Sequence, residues 1–180
     1  PALRRRGPAD PAQGRARARP ARELPARRLL RAQARPALDR QRLVPYYAAA
    51  DTAPLWVSAR GAGVRAQLLR TALQNAGQEG LSPARYRVAD IEAHWSTGTA
   101  EAQACLELLL TAGFDRYSRD VHRGRTGPHE ADPSWQLRPP PFDPVEALRA
   151  AGTDRDFAGL LETLPPAHSA YARLRVALAR

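Results

Sequence analysis

Residues 99–121, TAEAQACLELLLTAGFDRYSRDV, constrain this chain more than any other stretch. Leu106, Leu110, Phe114, Tyr117 and Val121 recur at steps of four and three, so they share one face of a 3.6-residue helix. Leu109 and Gly113 widen that stripe, as suits a core-facing helix. Thr99 is placed to cap the first turn with its hydroxyl, and Glu101 stands near the positive end of the helix dipole. Gly124 ends the pattern. Glu107, Asp115, Ser118 and Arg119 fall on the opposite side, where the pattern predicts solvent. A single amphipathic helix cannot bury its own stripe, so the rest of the chain is expected to cover it.

What surrounds that helix divides in two by charge. The first 42 residues hold 13 arginines against Asp10, Glu23 and Asp39. From Leu43 to Arg180, 15 arginines face 15 acidic residues, so the whole net charge of +10 sits in the first 42. That partition argues against a folded basic domain built to bind nucleic acid specifically. Residues 1–42 also carry scattered Pro8, Pro11, Pro20, Pro25 and Pro36, no aromatic residue, and few large apolar residues before Leu29. Such a segment buries too little to offset its ordering entropy, which predicts a disordered arm. Within it, a short helix around Arg28–Leu43 is interrupted by Pro36. Residues 43–180 are predicted to be the folded domain. There is no apolar run of about 18 residues, hence no membrane-spanning helix, and no secretory signal is visible. One cysteine cannot form an intrachain disulfide.

The folded part begins with Tyr46, Tyr47, Leu55, Trp56 and Val57, an aromatic and apolar cluster in which Pro54 favours an extended backbone. Val64–Ala76 reads as a helix with Gly77 as its left-handed stop. Ser82-Pro83 is a capping start, and Val88, Ile91 and Trp95 predict a short helix over Val88–Ser96. After the central helix, four prolines between Pro133 and Pro141, with Trp135, Leu137 and Phe142 as anchors, predict an extended strap. Asp143-Pro144 opens a helix over Val145–Ala151 closed at Gly152. Asp154 or Thr153 caps another, bearing Phe157, Leu160, Leu161 and Leu164 and ended by Pro165-Pro166. A last helix from about Ser169 places Tyr171, Leu174 and Leu178 on one face. No strand-length alternation is present. The predicted fold is all-α: a bundle of short helices, an extended Pro-rich strap and a disordered N-terminal arm.

Catalytic chemistry finds no support in these residues. Cys105 lies at the edge of the apolar stripe beside Leu109 and Ala112, and nothing near it in sequence supplies a base or lowers its pKa. It is predicted to be a packed residue. His94, His122, His129 and His168 form no helical metal pair. His129-Glu130-Ala131-Asp132 places ligand types in one loop without a second cluster, and Asp154 and Asp156 read as helix-start charges. No phosphate loop, nucleophile elbow or HExxH is present. The expectation is no catalytic, cofactor-binding or metal site.

The order of motifs carries a resemblance. Tyr46-Tyr47 with PLWV, then GLSPARY, LTAGFDRYSRDVHRG, DPSWQL and LPPAHSAYARLRVAL resemble the helical scaffold domain of murein L,D-transpeptidases of the YcbB-like kind. The resemblance spans roughly Leu43–Arg180. It implies a non-catalytic module of a protein that cross-links peptidoglycan stem peptides, located in the periplasm or cell envelope. It also implies partners: a YkuD-type catalytic domain and a peptidoglycan-binding domain, in cis or in trans, with peptidoglycan met indirectly. The serine-histidine-glycine-cysteine signature of the catalytic domain has no counterpart here, and Cys105 does not map onto it. A reading from a different class is a helical adaptor that binds a protein partner while its basic arm contacts polyanions.

Overall fold

The computed structural model describes residues 44, 46–47, 54–136, 141–153 and 156–179. The predicted arm over 1–42, the short helix around Arg28–Leu43, and Leu137 and Asp154 all lie outside the described residues. The described part is mostly helical, as the periodicity predicts, with one small hairpin. Strands β1 (Val57–Ser58) and β2 (Gly61–Ala62) pair antiparallel with Val57 opposite Ala62. Two residues per strand is too short for any alternation to appear in sequence. The helices follow in order: α1 (Val64–Gln74), α2 (Val88–Trp95), α3 (Ala100–Arg123), α4 (Pro128–Ala131), α5 (Pro144–Thr153), α6 (Phe157–Thr163) and α7 (Ser169–Leu178). Two 3₁₀ turns, Ala76–Glu79 and Pro83–Tyr86, join α1 to α2.

The 24-residue helix α3 is the axis of the domain. Thr99 caps it as predicted, its Oγ1 accepting from the Ala102 N–H at 3.2 Å, and Gly124 closes it with φ 78°. Helices α1, α2 and α5, strand β1 and the Pro83–Tyr86 turn all pack on it. Leu106, Leu110, Phe114, Tyr117 and Val121 are buried as the spacing requires. Gly113 has a specific task. A Cβ at this position would lie 2.9 Å from Leu73 Cδ1, so the bare backbone lets α1 approach α3 closely. Gly113→Leu is therefore expected to lower stability by about 1–3 kcal/mol through overpacking, although leucine is the better helix former. Thermal unfolding checks this, and a raised midpoint would refute the close approach.

Trp56, Phe114 and Phe157 form a three-ring core that joins the approach to β1, α3 and α6. Their centroids are 5.5 Å (Trp56–Phe157), 5.9 Å (Trp56–Phe114) and 5.9 Å (Phe114–Phe157) apart. A second pair, Tyr86 and Tyr117, meets edge to face at 5.6 Å. Arg65 Nη1 donates to the Ala151 carbonyl at 2.9 Å and ties α1 to the end of α5.

Several expectations need correction. The face of α3 assigned to water is covered: Glu107 and Ser118 are 0% exposed and Asp115 4%. Elements pack around α3 on more sides than its apolar stripe. Gly77 does not stop α1. The chain tightens into the 3₁₀ turn and reaches its left-handed position at Gly80, with φ 71°. Ser82 precedes Pro83 as predicted, but its hydroxyl makes no capping bond and the turn is 3₁₀, ending at Arg87 with φ 56°. Gly152 lies within α5, which runs on to Thr153. The cap of α6 is Asp156, whose Oδ1 accepts from Gly159 N–H at 2.9 Å.

In the strap region the sequence missed α4, whose entry is held by the Glu130 carboxylate accepting from Gly127 N–H at 3.1 Å. Phe142 is an anchor, half-buried with its ring 5.0 Å from that of His122, whereas Trp135 is 46% exposed. Asp143 does cap α5, with Oδ1 2.8 Å from Val145 N and 3.3 Å from Glu146 N.

Candidate functional site: a buried polar spine on the central helix

Glu107, Thr111, Asp115 and Arg119 stand four residues apart, so they form one line along α3. The N-terminal half of that line is a clasp. Glu107 Oε1 accepts from Leu55 N–H at 2.7 Å, and Oε2 accepts from Trp56 N–H at 2.9 Å and Val57 N–H at 3.1 Å. Three successive backbone N–H groups thus converge on one carboxylate. Tyr47 Oη donates to Oε1 at 3.1 Å. Thr111 Oγ1 lies 2.6 Å from Tyr47 Oη and accepts from Trp56 Nε1–H at 2.9 Å. Trp56 donates into Thr111 and Tyr47 into Glu107, while the one Thr111 hydroxyl proton has the Glu107 carbonyl at 2.8 Å as its acceptor.

Burial pushes the Glu107 carboxyl above the usual glutamate range, and the N–H groups of Trp56, Leu55 and Val57 with the Tyr47 hydroxyl pull it back. Each oxygen takes two donors, so the geometry holds the ionised form. Burial, with Glu107 adding to it, raises the Tyr47 hydroxyl well above its ordinary value. Tyr46, edge to face with Tyr47 at 5.1 Å, is raised to about 12 for the same two reasons. This carboxylate cannot serve as a general base, because both oxygens are occupied and water is excluded. What it can do is fix the chain through residues 55–57 against α3.

The C-terminal half of α3 holds different partners. The Arg119 guanidinium grips the Asp115 carboxylate one turn back, and its Nε donates to the Asp115 carbonyl at 3.1 Å. Ser118 Oγ donates to the same carbonyl at 3.2 Å. Asp120 Oδ2 accepts from Arg85 Nε at 2.6 Å and from Tyr86 Oη at 3.0 Å, which anchors the Pro83–Tyr86 turn. Burial raises the Tyr86 hydroxyl, and the Asp120 charge adds to it. Arg116 Nη1 donates to the Arg85 carbonyl at 3.0 Å beside this anchor.

The residues weighed for chemistry in the sequence are not brought together. Cys105 is half-buried on α3. His94 Nδ1 is 2.8 Å from the Asp90 carbonyl of its own helix, and His122 faces Phe142. His168 Nδ1 accepts from Ala170 N–H at 3.1 Å and caps α7, a role the sequence reading gave to no residue. The His129 side chain is outside the described residues. Asp132 Oδ1 accepts from the Ser134 N–H and hydroxyl at 2.8 and 2.7 Å, a local turn whose bonds hold its carboxyl below the usual range. Among the described residues no three His, Cys, Asp or Glu side chains gather where they could hold a metal ion. No helix of the described residues is long and apolar enough to cross a membrane.

The clasp had one signal in sequence. Leu106, Leu108, Leu109 and Leu110 surround Glu107 on nearly every side of the helix, and a helix apolar all round is a buried one. The spine is thus a set of joints between α3 and segments distant in the chain.

No curated protein and no solved structure matches the chain. The family model described as Scaffold domain matches residues 41–178. The match covers the central helix, the clasp and every helix described above, and the chain belongs to the Scaffold domain family as a non-catalytic scaffold-type domain.

Proposed function

We propose that this domain is the scaffold module of an L,D-transpeptidase-type protein of the periplasm or cell envelope. It holds a YkuD-type catalytic domain and a peptidoglycan-binding domain in register while stem peptides are cross-linked. The observation that carries this reading is the family match over residues 41–178, joined to the order of motifs from Tyr46-Tyr47 to the LPPAHSAYARLRVAL stretch. The buried spine supports it physically. Helix α3 is fastened by side-chain bonds to the clasp segment at one end and to the Pro83–Tyr86 turn at the other, which makes a stiff frame rather than a pocket. The adaptor reading draws on the excess charge of residues 1–42, whereas residues 43–180 carry balanced charge.

The test mixes the full chain with a separately purified YkuD-type catalytic domain and tetrapeptide muropeptides, with cross-linked dimers read by chromatography. The chain alone is expected to form none. Addition of the chain is expected to bind the catalytic domain and raise its cross-linking rate. Cross-linking by the chain alone, or no binding and no effect on the rate, overturns the proposal.

A further inference from the structure

Helix α7 differs from every other long helix of the domain. None of its ten residues is buried. Leu174 is 68% exposed, and Val176 and Leu178 are also exposed. Its main contact with the body is at the Ala76–Glu79 turn, and Leu178 reaches to Gly80 beside it. There one acidic side chain takes both of its polar bonds: Glu79 Oε2 accepts from Tyr171 Oη at 2.5 Å, and Oε1 pairs with Arg175 Nη2 at 3.0 Å. The Glu79 side chain is only 7% exposed, because α7 lies over it. Burial raises the Tyr171 hydroxyl, and its bond to Glu79 adds to the rise.

The attachment is polar, small and incomplete. Arg175 Nε is shielded from water yet meets no acceptor among the described residues. The connection back to the core is equally sparse. Leu164 is buried and ends the firm part at α6. Pro165 and Pro166 follow, offering no N–H to any partner, and order resumes where His168 caps α7. Undocking would return Glu79, Tyr171 and Arg175 to water, which solvates all three, and would bury nothing unpaired. A helix held this way opens at far lower cost than the body.

We propose that α7 is a latched arm, hinged at Pro165-Pro166 and released from the domain as a unit when the Glu79 bonds to Tyr171 and Arg175 break. The closed state is the one observed, and Glu79 is the catch. The inference stands apart from the peptidoglycan reading, because it concerns the motion of one helix on the body whatever the domain serves.

Hydrogen–deuterium exchange on the full chain tests it. In the unaltered protein, peptides over 169–178 are expected to exchange well before peptides over 106–121. Glu79→Gln keeps the shape of the catch and removes its charge. It is expected to speed exchange in 169–178 by about tenfold and leave 106–121 unchanged. Tyr171→Phe is expected to do the same to a smaller degree, since it removes the hydroxyl bond to Glu79 and leaves the Arg175 pair. Equal protection of α7 and α3 in the unaltered protein overturns the proposal. So does an α7 exchange rate that neither substitution changes, or a loss of protection spread evenly over the whole domain.

Discussion

Glu107→Ala is expected to lower the free energy of unfolding by about 3–5 kcal/mol, since four donors lose their acceptor at about 1–3 kcal/mol each while the cost of burying the carboxylate is recovered. Such a loss is a large share of the roughly 5–15 kcal/mol that holds a domain together. The cause is what the alanine leaves behind. The N–H groups of Leu55, Trp56 and Val57 and the hydroxyl of Tyr47 keep their burial and lose their acceptor. Glu107→Gln preserves the shape, but its amide nitrogen turns a donor toward N–H donors at one of the two oxygen positions, so a loss of about 2 kcal/mol or more is expected. Tyr47→Phe removes one donor and leaves the carboxylate its three backbone partners, and should cost least of the three. Urea unfolding followed by circular dichroism gives all three values. A cost for Glu107→Ala below that of Tyr47→Phe would show that the clasp does not hold the segment.

Trp56→Ala is expected to cost about 3–5 kcal/mol, through lost transfer energy and the cavity between Phe114 and Phe157. Trp56→Phe keeps most of the ring contact and loses the indole N–H bond to Thr111, so the expected cost is about 1–2 kcal/mol. Fluorescence provides an independent reading. Trp56 is 2% exposed, whereas Trp95 is half-buried beside Arg70 and Trp135 is 46% exposed, so removing Trp56 should move the emission maximum to the red. An emission maximum that does not move in Trp56→Phe would place this ring in water.

Local signals in the sequence held at three helix ends and failed at Ser82, at Gly152 and at the start of α6. The Thr99 cap, the Gly124 stop and the Asp143 cap are each made with atoms two to four residues away, and each appears where the pattern puts it. The apolar spacing of Leu106, Leu110, Phe114, Tyr117 and Val121 likewise identifies the core face. The misread face of α3 has another cause. Glu107 was assigned to solvent because it is polar, yet its partners lie 50 to 60 residues earlier, at Tyr47 and residues 55–57. Periodicity reports which side chains avoid water and says nothing of distant donors that can replace it. Leu174 fails in the opposite sense: it is apolar and correctly placed on a helix, but the helix covers little with that face. Gly77 and Gly80 are both plausible stops for α1, and only the 3₁₀ tightening after Gln74 decides between them.

The clasp reads main chain at three of its four donors. A carboxylate that accepts from the backbone of residues 55, 56 and 57 is indifferent to which side chains those residues carry, provided each keeps its N–H. As far as the clasp is concerned, Leu55, partly buried against the core, needs only its N–H, which proline alone lacks. At position 107 the latitude is reversed. Aspartate carries the same charge on a shorter stem, and its oxygens would fall short of donors now 2.7–3.1 Å from Glu107. The joint thus concentrates its chemical demand on a single glutamate, while what Trp56 and Val57 must be is set by the core they pack into.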